Sequence, residues 1–489
     1  MLDIRIPENY ETALAAAGAQ RYRMLIDGTL CNGSSSREVI DPATRRLIAR
    51  SPVADDEQVN AAIEAAARAF SRWRATSITQ RARIAHAIAD TIVEHLDELA
   101  QLVVLEQGKT LQFSQADARK AVEYARYFAG LHASTEFIRE DESTRIELRR
   151  TPIGVVAAIV PWNFPLYQAT YKMIPALMAG NTVVLKPSEH TPLHAMRLAE
   201  LIHNIVPPGV VNILGDDGSV GPRLVAHPRV GMVSFTGSTA VGKAIIRSGA
   251  DTVKRVIAEL SGNDPAIVLE DADVDAIARR LYDSAFINSG QRCVAIKRIF
   301  AHDAVYDSLV QQLAEIADSA RLGHGLTPGT DVGPVQNSRQ LADARRWLDR
   351  ARISGTIAAG GRVWDEPGFF VAPTIIRDVQ IDSPFLDQEI FLPIRAVVRF
   401  TEIDTVIRRL DEEPFGLGAS VWGTDLARAA DIASRIDSGQ IWVNHHGLAG
   451  PDVPSSGHRQ SGLGVKFGVR ALQEFTNPQA FTIFERAGS

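Results

Sequence analysis

The sequence predicts an α/β protein with two doubly wound units, and three observations carry that expectation. Past Gly154, short continuous apolar runs alternate with helical segments, the pattern of buried parallel strands joined by crossover helices. At 489 residues the chain is too long for one compact core, so two or three domains are expected. One strand-like run, Val230 to Phe235, passes through a glycine turn into a helix-like run, Ala244 to Ile246. Backbone N–H groups can face an anion at such a turn.

The first third reads as helical. Asp55 with Gln58 three residues on resembles a capping box opening DDEQVNAAIEAAARAFSRW. A second long amphipathic run covers residues 79–107. The arginines and glutamates of both runs read as solvated surface. TRIELRR (144–150) alternates like a strand. The continuous apolar strands of the first unit are VVAAIV (155–160), TVVLK (182–186), VVNIL (210–214) and MVSF (232–235). The second half repeats the theme with AIVL (266–269), KRIFA (297–301), IRAVVRF (394–400), GASVW (418–422) and QIWVN (440–444). The tail, FTNPQAFTIFERAGS, reads as a terminal strand. There is no repeat of solenoid length and no low-complexity linker.

Composition narrows the function classes. Hydrophobic residues make up 45% and charged residues 22%, as in an ordinary globular enzyme. A net charge of -6, spread along the chain, offers no basic footprint for nucleic acid. Asp3, Glu8 and Glu11 stand where a signal peptide needs basic and then apolar residues, and no run is apolar enough to span a membrane. The two cysteines, Cys31 and Cys293, cannot form a disulfide framework, so a cytoplasmic location is expected.

The glycine turn, SFTGSTAVGKA (234–244), matches all but the last place of the triphosphate loop G-x-x-x-x-G-K-[ST]. That last place needs a hydroxyl for Mg²⁺, and Ala244 offers a methyl group. ATP hydrolysis is therefore disfavoured. Two readings remain: a plain strand-to-helix turn, or an anion site in which Ser238 and the helix start face a dinucleotide pyrophosphate. Lys243 then falls to the surface.

A lone cysteine is most simply a small buried hydrophobe. Cys293, in SGQRCVA, keeps other company. Glu259 stands in ELSGNDP, Asn163 between the prolines of PWNFP, Lys186 and Glu189 in KPSE, and Glu389 in QEIFLP. With FTGS, these segments resemble the NAD(P)-dependent aldehyde dehydrogenase superfamily, in the family's order and over nearly the whole chain. The resemblance implies an aldehyde dehydrogenase-like fold: two Rossmann-like α/β domains plus a small β oligomerisation element. It assigns 1–129 and 152–258 to NAD binding, 259–475 to catalysis, and 130–151 with 476–489 to assembly as a homodimer or homotetramer.

The resemblance also implies the site. Cys293 would be the nucleophile, Asn163 an oxyanion donor and Glu259 the general base that activates water. Pro161, Trp162, Lys186, Ser188, Glu189, Phe235, Gly237, Ser238, Leu260, Glu389 and Phe391 would hold the cofactor. The carboxylate of Glu189 would repel a 2′-phosphate, which makes NAD the expected cofactor and NADP the alternative. Gln168, Tyr171, Arg292, Val294, His445 and Ser455 would line the substrate tunnel, and no metal is expected. The partner is a small aldehyde, and Gln168, Arg292 and Ser455 point to a polar one, anionic or hydroxylated.

The sequence also departs from the family. Leu392 replaces the glycine of E-I-F-G-P, Ser455 stands where an aromatic wall is common, and Lys466 replaces a glutamate of the proton relay. Slower deacylation is expected, since a charged lysine can only donate. Adjacent His445 and His446 would point opposite ways on an extended segment. Two other readings stay open: transfer of the acyl group to coenzyme A, which Glu259 argues against, and a catalytically silent scaffold.

Overall fold

The computed structural model describes residues 4–132, 134–141 and 143–484. Met1–Asp3 and the last five residues of the expected terminal strand segment lie outside the described residues. Among the described residues the largest sheet has eight strands. Its parallel centre runs Val211–Ile213, Thr182–Lys186, Val155–Ile159, Val230–Thr236, Arg255–Glu259. Chain order reverses on either side of Val155–Ile159, so a topological switch point lies between that strand and Val230–Thr236. A crevice opens there at the carboxyl ends of such sheets. All five residues of Val155–Ile159 and of Thr182–Lys186 are buried, which is why those runs are continuously apolar rather than alternating.

The second sheet has seven strands among the described residues, in the order Thr356–Ala359, Thr374–Arg377, Ile394–Phe400, Arg298–His302, Pro265–Val268, Gly418–Trp422, Gln440–Val443. All its pairings are parallel except that of the first strand. Each of the nine apolar runs picked out in the two halves corresponds to one of these strands, with ends shifted by at most two residues.

The helical third is also as read, with one break. Asp55 Oδ1 accepts from the Gln58 N–H at 2.8 Å and Gln58 Oε1 accepts from the Asp55 N–H at 3.3 Å, closing the capping box of Asp56–Trp73. The run 79–107 is two helices, Ile78–Glu94 and Leu96–Gln107, hinged at His95 with φ −111° and ψ 22°. Periodicity missed the hinge because Leu99, Leu102, Val103, Val104 and Leu105 are buried around most of the second helix, leaving it no polar face to mark a change of direction. The short strands Met24–Ile26, Thr29–Cys31, Ser35–Ile40 and Leu47–Val53 carry too few residues for a period and were not legible.

A third sheet joins Thr144–Pro152 to Thr476–Phe484 on one side and Glu136–Glu140 on the other. The chain then returns: Gly462–Leu463 pairs with Arg255–Glu259 at the edge of the first sheet, and Phe467, Leu472 and Phe475 enter its core. That return carries Lys466 to the carboxyl end of the Glu259 strand.

Candidate active site

The centre forms where carboxyl ends of the first sheet face amino ends of the second. Asn163 follows Val155–Ile159, and Glu259 ends Arg255–Glu259. Cys293 precedes Arg298–His302, and Glu389 precedes Ile394–Phe400. Cys293 Sγ donates to Glu259 Oε1 at 3.1 Å. Burial, and then the Glu259 charge, push the thiol up to about 12. The loop carrying Cys293 is braced from beneath by Lys297, whose ammonium donates to the Arg292 carbonyl at 2.5 Å and the Cys293 carbonyl at 3.1 Å.

Asn163 is oriented by neighbours on both ends of its amide. Its Oδ1 accepts from the Phe164 N–H at 3.1 Å and from Gln168 Nε2 at 3.3 Å, while its Nδ2 donates to the Gln291 carbonyl at 3.1 Å. An amide carries two N–H donors, so one remains for a ligand oxygen in the cavity shared with Cys293.

Glu259 is enclosed by charge and hydroxyl. Lys466 Nζ contacts Oε1, and Tyr171 Oη lies 3.3 Å from Oε2. Burial raises this carboxyl, but Lys466, the Cys293 thiol and Lys172 outweigh it and hold it below the usual glutamate range. The Tyr171 hydroxyl is also 3.0 Å from Thr236 Oγ1, to which Lys172 donates at 2.8 Å. Burial brings the Lys172 ammonium down to about 7.

Three connected hollows surround this centre. A cleft of about 980 Å³ lies outside the switch point. Pro161, Trp162, Lys186, Ser188, Glu189, Phe235, Gly237 and Ser238 all line it. A second hollow of about 220 Å³ leads from it to Cys293, past Leu260, Glu389 and Phe391. Every residue the sequence assigned to the cofactor therefore borders one continuous groove. Ser238 caps the helix Thr239–Gly249, accepting from the Val241 N–H at 3.4 Å. Gly237 keeps the turn open, since a Cβ there would stand 2.4 Å from the Phe235 ring. Lys186 is already paired with Asp216, which sequence reasoning missed. Glu389 is partly buried, with its enclosed Oε1 lacking a hydrogen bond though Lys297 stands 3.3 Å away, and desolvation raises its carboxyl.

The third hollow, about 120 Å³, reaches Cys293 from the opposite side. Gln168, Tyr171, Arg292 and Val294 line it, as expected. His445 and Ser455 do not. His445 is exposed, while its neighbour His446 is buried, with Nδ1 2.9 Å from Ser420 Oγ. Ser455 is 1% exposed and pairs in register with Lys466, so its side chain faces packed protein. The walls are instead aromatic: Phe113, Tyr124, Phe164, Tyr167 and Phe467. Gln168 and Tyr171 spend their polar ends on Asn163 and Glu259. Lys120, also missed, shares the lining with Arg292.

Lys172 and Lys297 were also missed; both are buried, and fully buried lysines are rare without a task. The described residues contain no group of three or more His, Cys, Asp or Glu that could hold a metal ion, and no helix long and apolar enough to cross a membrane.

The profile of the aldehyde dehydrogenase family matches residues 31–481. The chain is 38% identical to a phenylacetaldehyde dehydrogenase of Pseudomonas fluorescens over 480 residues, 94% of this chain and 96% of that protein. It is 33% identical to the human 2-aminomuconic semialdehyde dehydrogenase, over 96% of this chain and 99% of that one. The NAD⁺ complex of an aldehyde dehydrogenase from Bacillus cereus superposes with a TM-score of 0.93 at 34% identity, covering 99% of this chain and 100% of that one.

Proposed function

Because the chain belongs to the aldehyde dehydrogenase family and so acts on aldehydes, we propose that it oxidises a polar aldehyde, anionic or hydroxylated, to the carboxylic acid with NAD, through a thioester on Cys293. The observation that carries this reading is the 3.1 Å contact between Cys293 Sγ and Glu259, at the meeting of the groove and the tunnel.

The groove suits a dinucleotide. It opens at the switch point, Ser238 and the helix Thr239–Gly249 present N–H groups for a pyrophosphate, and Gly237 leaves the turn room for it. Lys186 and Glu189 would take the adenosine ribose and Glu389 the nicotinamide ribose, with NADP disfavoured by the Glu189 carboxylate. When bound, NAD supplies the acceptor for the hydride that leaves the substrate carbon.

The protein's own residues do the rest. Glu259 takes the thiol proton as sulfur attacks the carbonyl carbon, which the thiol needs because it is held up at about 12. The remaining Asn163 N–H donates to the oxyanion. Glu259, once it has passed that proton on, removes a proton from the water that cleaves the thioester. Coenzyme A acylation is a weaker reading, since that chemistry dispenses with a base.

The substrate class follows from the tunnel. Lys120 and Arg292 line it together, with Lys120 on its exposed side. Lys120 has no ion pair among the described residues, and the nearby Asp117 faces Lys109 at 3.8 Å. Two cations beside aromatic walls favour an aldehyde with a carboxylate or hydroxyl at its far end and disfavour a cationic one. The open edges of the third sheet support assembly as a homodimer or homotetramer.

The test is a panel of aldehydes, carboxylated, hydroxylated, aromatic and unbranched alkyl, followed at the absorbance of reduced cofactor with NAD and with NADP. The carboxylated aldehydes and NAD are expected to give the highest kcat/KM. A wide lead for unbranched alkyl aldehydes, or for NADP, would overturn the respective part.

A further inference from the structure

Lys466 stands where the sequence led us to expect only an impaired relay, yet its ammonium is turned inward onto the base. It is carried there by the return segment: Val465–Lys466 pairs antiparallel with Ser455–Ser456, and the side chain runs beside the Phe467 ring, with Nζ 5.1 Å from its centroid. Its side chain is 14% exposed, so the charge acts through protein rather than water. Glu259 Oε1 meets both this ammonium and the Cys293 thiol, while Oε2 faces Tyr171. Both carboxylate oxygens are thereby fixed, by side chains from three separate segments.

We propose that Lys466 is a positioning residue for the reaction, a fixed counter-charge that keeps the Glu259 carboxylate turned toward Cys293. The proposal rests on the reading of Glu259 as the base. A carboxylate in a buried pocket without such a partner would either take up a proton or swing to another donor. The groups facing Glu259 are Tyr171 and Lys172 from the helix Pro165–Met178, Cys293 from its loop, and Lys466 from the return. Lys172 is the other cation, but it is bonded to Thr236 rather than to the carboxylate, so it does not duplicate Lys466.

The sign of the effect is fixed by charge. The Lys466 cation favours ionised Glu259, so removing it raises the Glu259 pKa, and activity that needs the ionised base is then lost at higher pH. The same cation also favours the Cys293 thiolate. Hence Lys466→Gln is expected to move the acid limb of the kcat–pH profile to higher pH while leaving KM for the aldehyde within about twofold. Without substrate, alkylation of Cys293 by iodoacetamide at pH 8, read by mass spectrometry, is expected to slow by about threefold or more. Lys466→Arg, which keeps the charge, should restore both.

The two readouts separate the two levels of the argument. If the parent oxidises no aldehyde in the panel, the functional reading fails, and alkylation alone decides on Lys466. An active parent whose acid limb stays in place in Lys466→Gln overturns the positioning role. So does a Lys466→Arg variant that behaves like Lys466→Gln, because charge is then not the cause. Thermal melts confirm that the variants fold, and Lys466→Met replaces Lys466→Gln if the glutamine variant does not.

Discussion

In the 980 Å³ cleft, Lys186, Ser188 and Glu189 come from one short segment, and Phe235, Gly237 and Ser238 from another. In the chamber around Cys293, Glu259 alone is met by side chains from a helix, a loop and the C-terminal return. The cleft is a wide surface assembled from local pieces, each placed by the end of its own strand. The chamber is a small volume in which every polar group has a neighbour that decides its charge. Loss of one cleft residue should weaken binding in proportion to one contact, whereas loss of one chamber residue should change the state of the others.

The largest effect that tests this contrast is in the chamber. Cys293→Ala is expected to lower aldehyde oxidation by about a thousandfold or more, as it removes the nucleophile outright. Glu259→Gln should lower kcat by roughly 10²–10⁴, the usual range for a lost general base, and should slow thioester formation as well as its breakdown, since Glu259 serves both steps. A thioester that accumulates in Glu259→Gln, visible as added mass, would mean that another group takes the thiol proton. Rapid-quench measurement of both steps separates the two cases. An unimpaired Glu259→Gln enzyme would break the comparison, because the chamber would then hold a second base.

The same contrast explains what the sequence made legible. The cleft residues sit inside contiguous motifs, PWNFP, KPSE and FTGS, where backbone geometry and side chain are read together. Cys293, Glu259 and Asn163 stand beside glycine or proline turns that belong to the same motifs, and the family resemblance of those motifs implied their roles. Lys172 and Lys297 stand in no such turn, and only their burial reveals them. Asp216 pairs with Lys186 across 30 residues of chain, a separation that no local pattern encodes. Ser455 and His445 failed for a related reason: they were placed by position along the chain. The local pairing of Ser455 with Lys466 and the outward turn of His445 set their directions instead.

A middle-sized effect concerns stability. Burial brings Lys172 down to about 7, below the range of a lysine in the unfolded chain. Between about 7 and that range the unfolded chain binds the extra proton, so stability rises with pH there, and the penalty is fullest below pH 7. Lys172→Met removes the penalty. Its Tm should exceed that of the parent by roughly 2 °C or more at pH 6 and by less at pH 9. A gain that does not depend on pH would mean that packing, rather than charge, is responsible.

The smallest effect lies at the edge of the cleft, in the turn that resembles a triphosphate loop. Lys243 would be the phosphate-binding lysine of such a loop. Its ammonium instead donates to Gln460 Oε1 at 2.7 Å, on the exposed side of the helix Thr239–Gly249, while Ala240, Val241 and Ala244 of the same helix face the cleft. At about 100° of turn per residue, 240, 241, 244, 245 and 248 spread around one cleft-facing side, and 243 stands about 130° from its centre. Lys243→Ala should therefore leave kcat and the KM for NAD within about twofold of the parent, since one exposed hydrogen bond contributes little. A tenfold or greater rise in KM would place the lysine on the bound cofactor, and the cleft would then share the chamber's dependence on a buried charge.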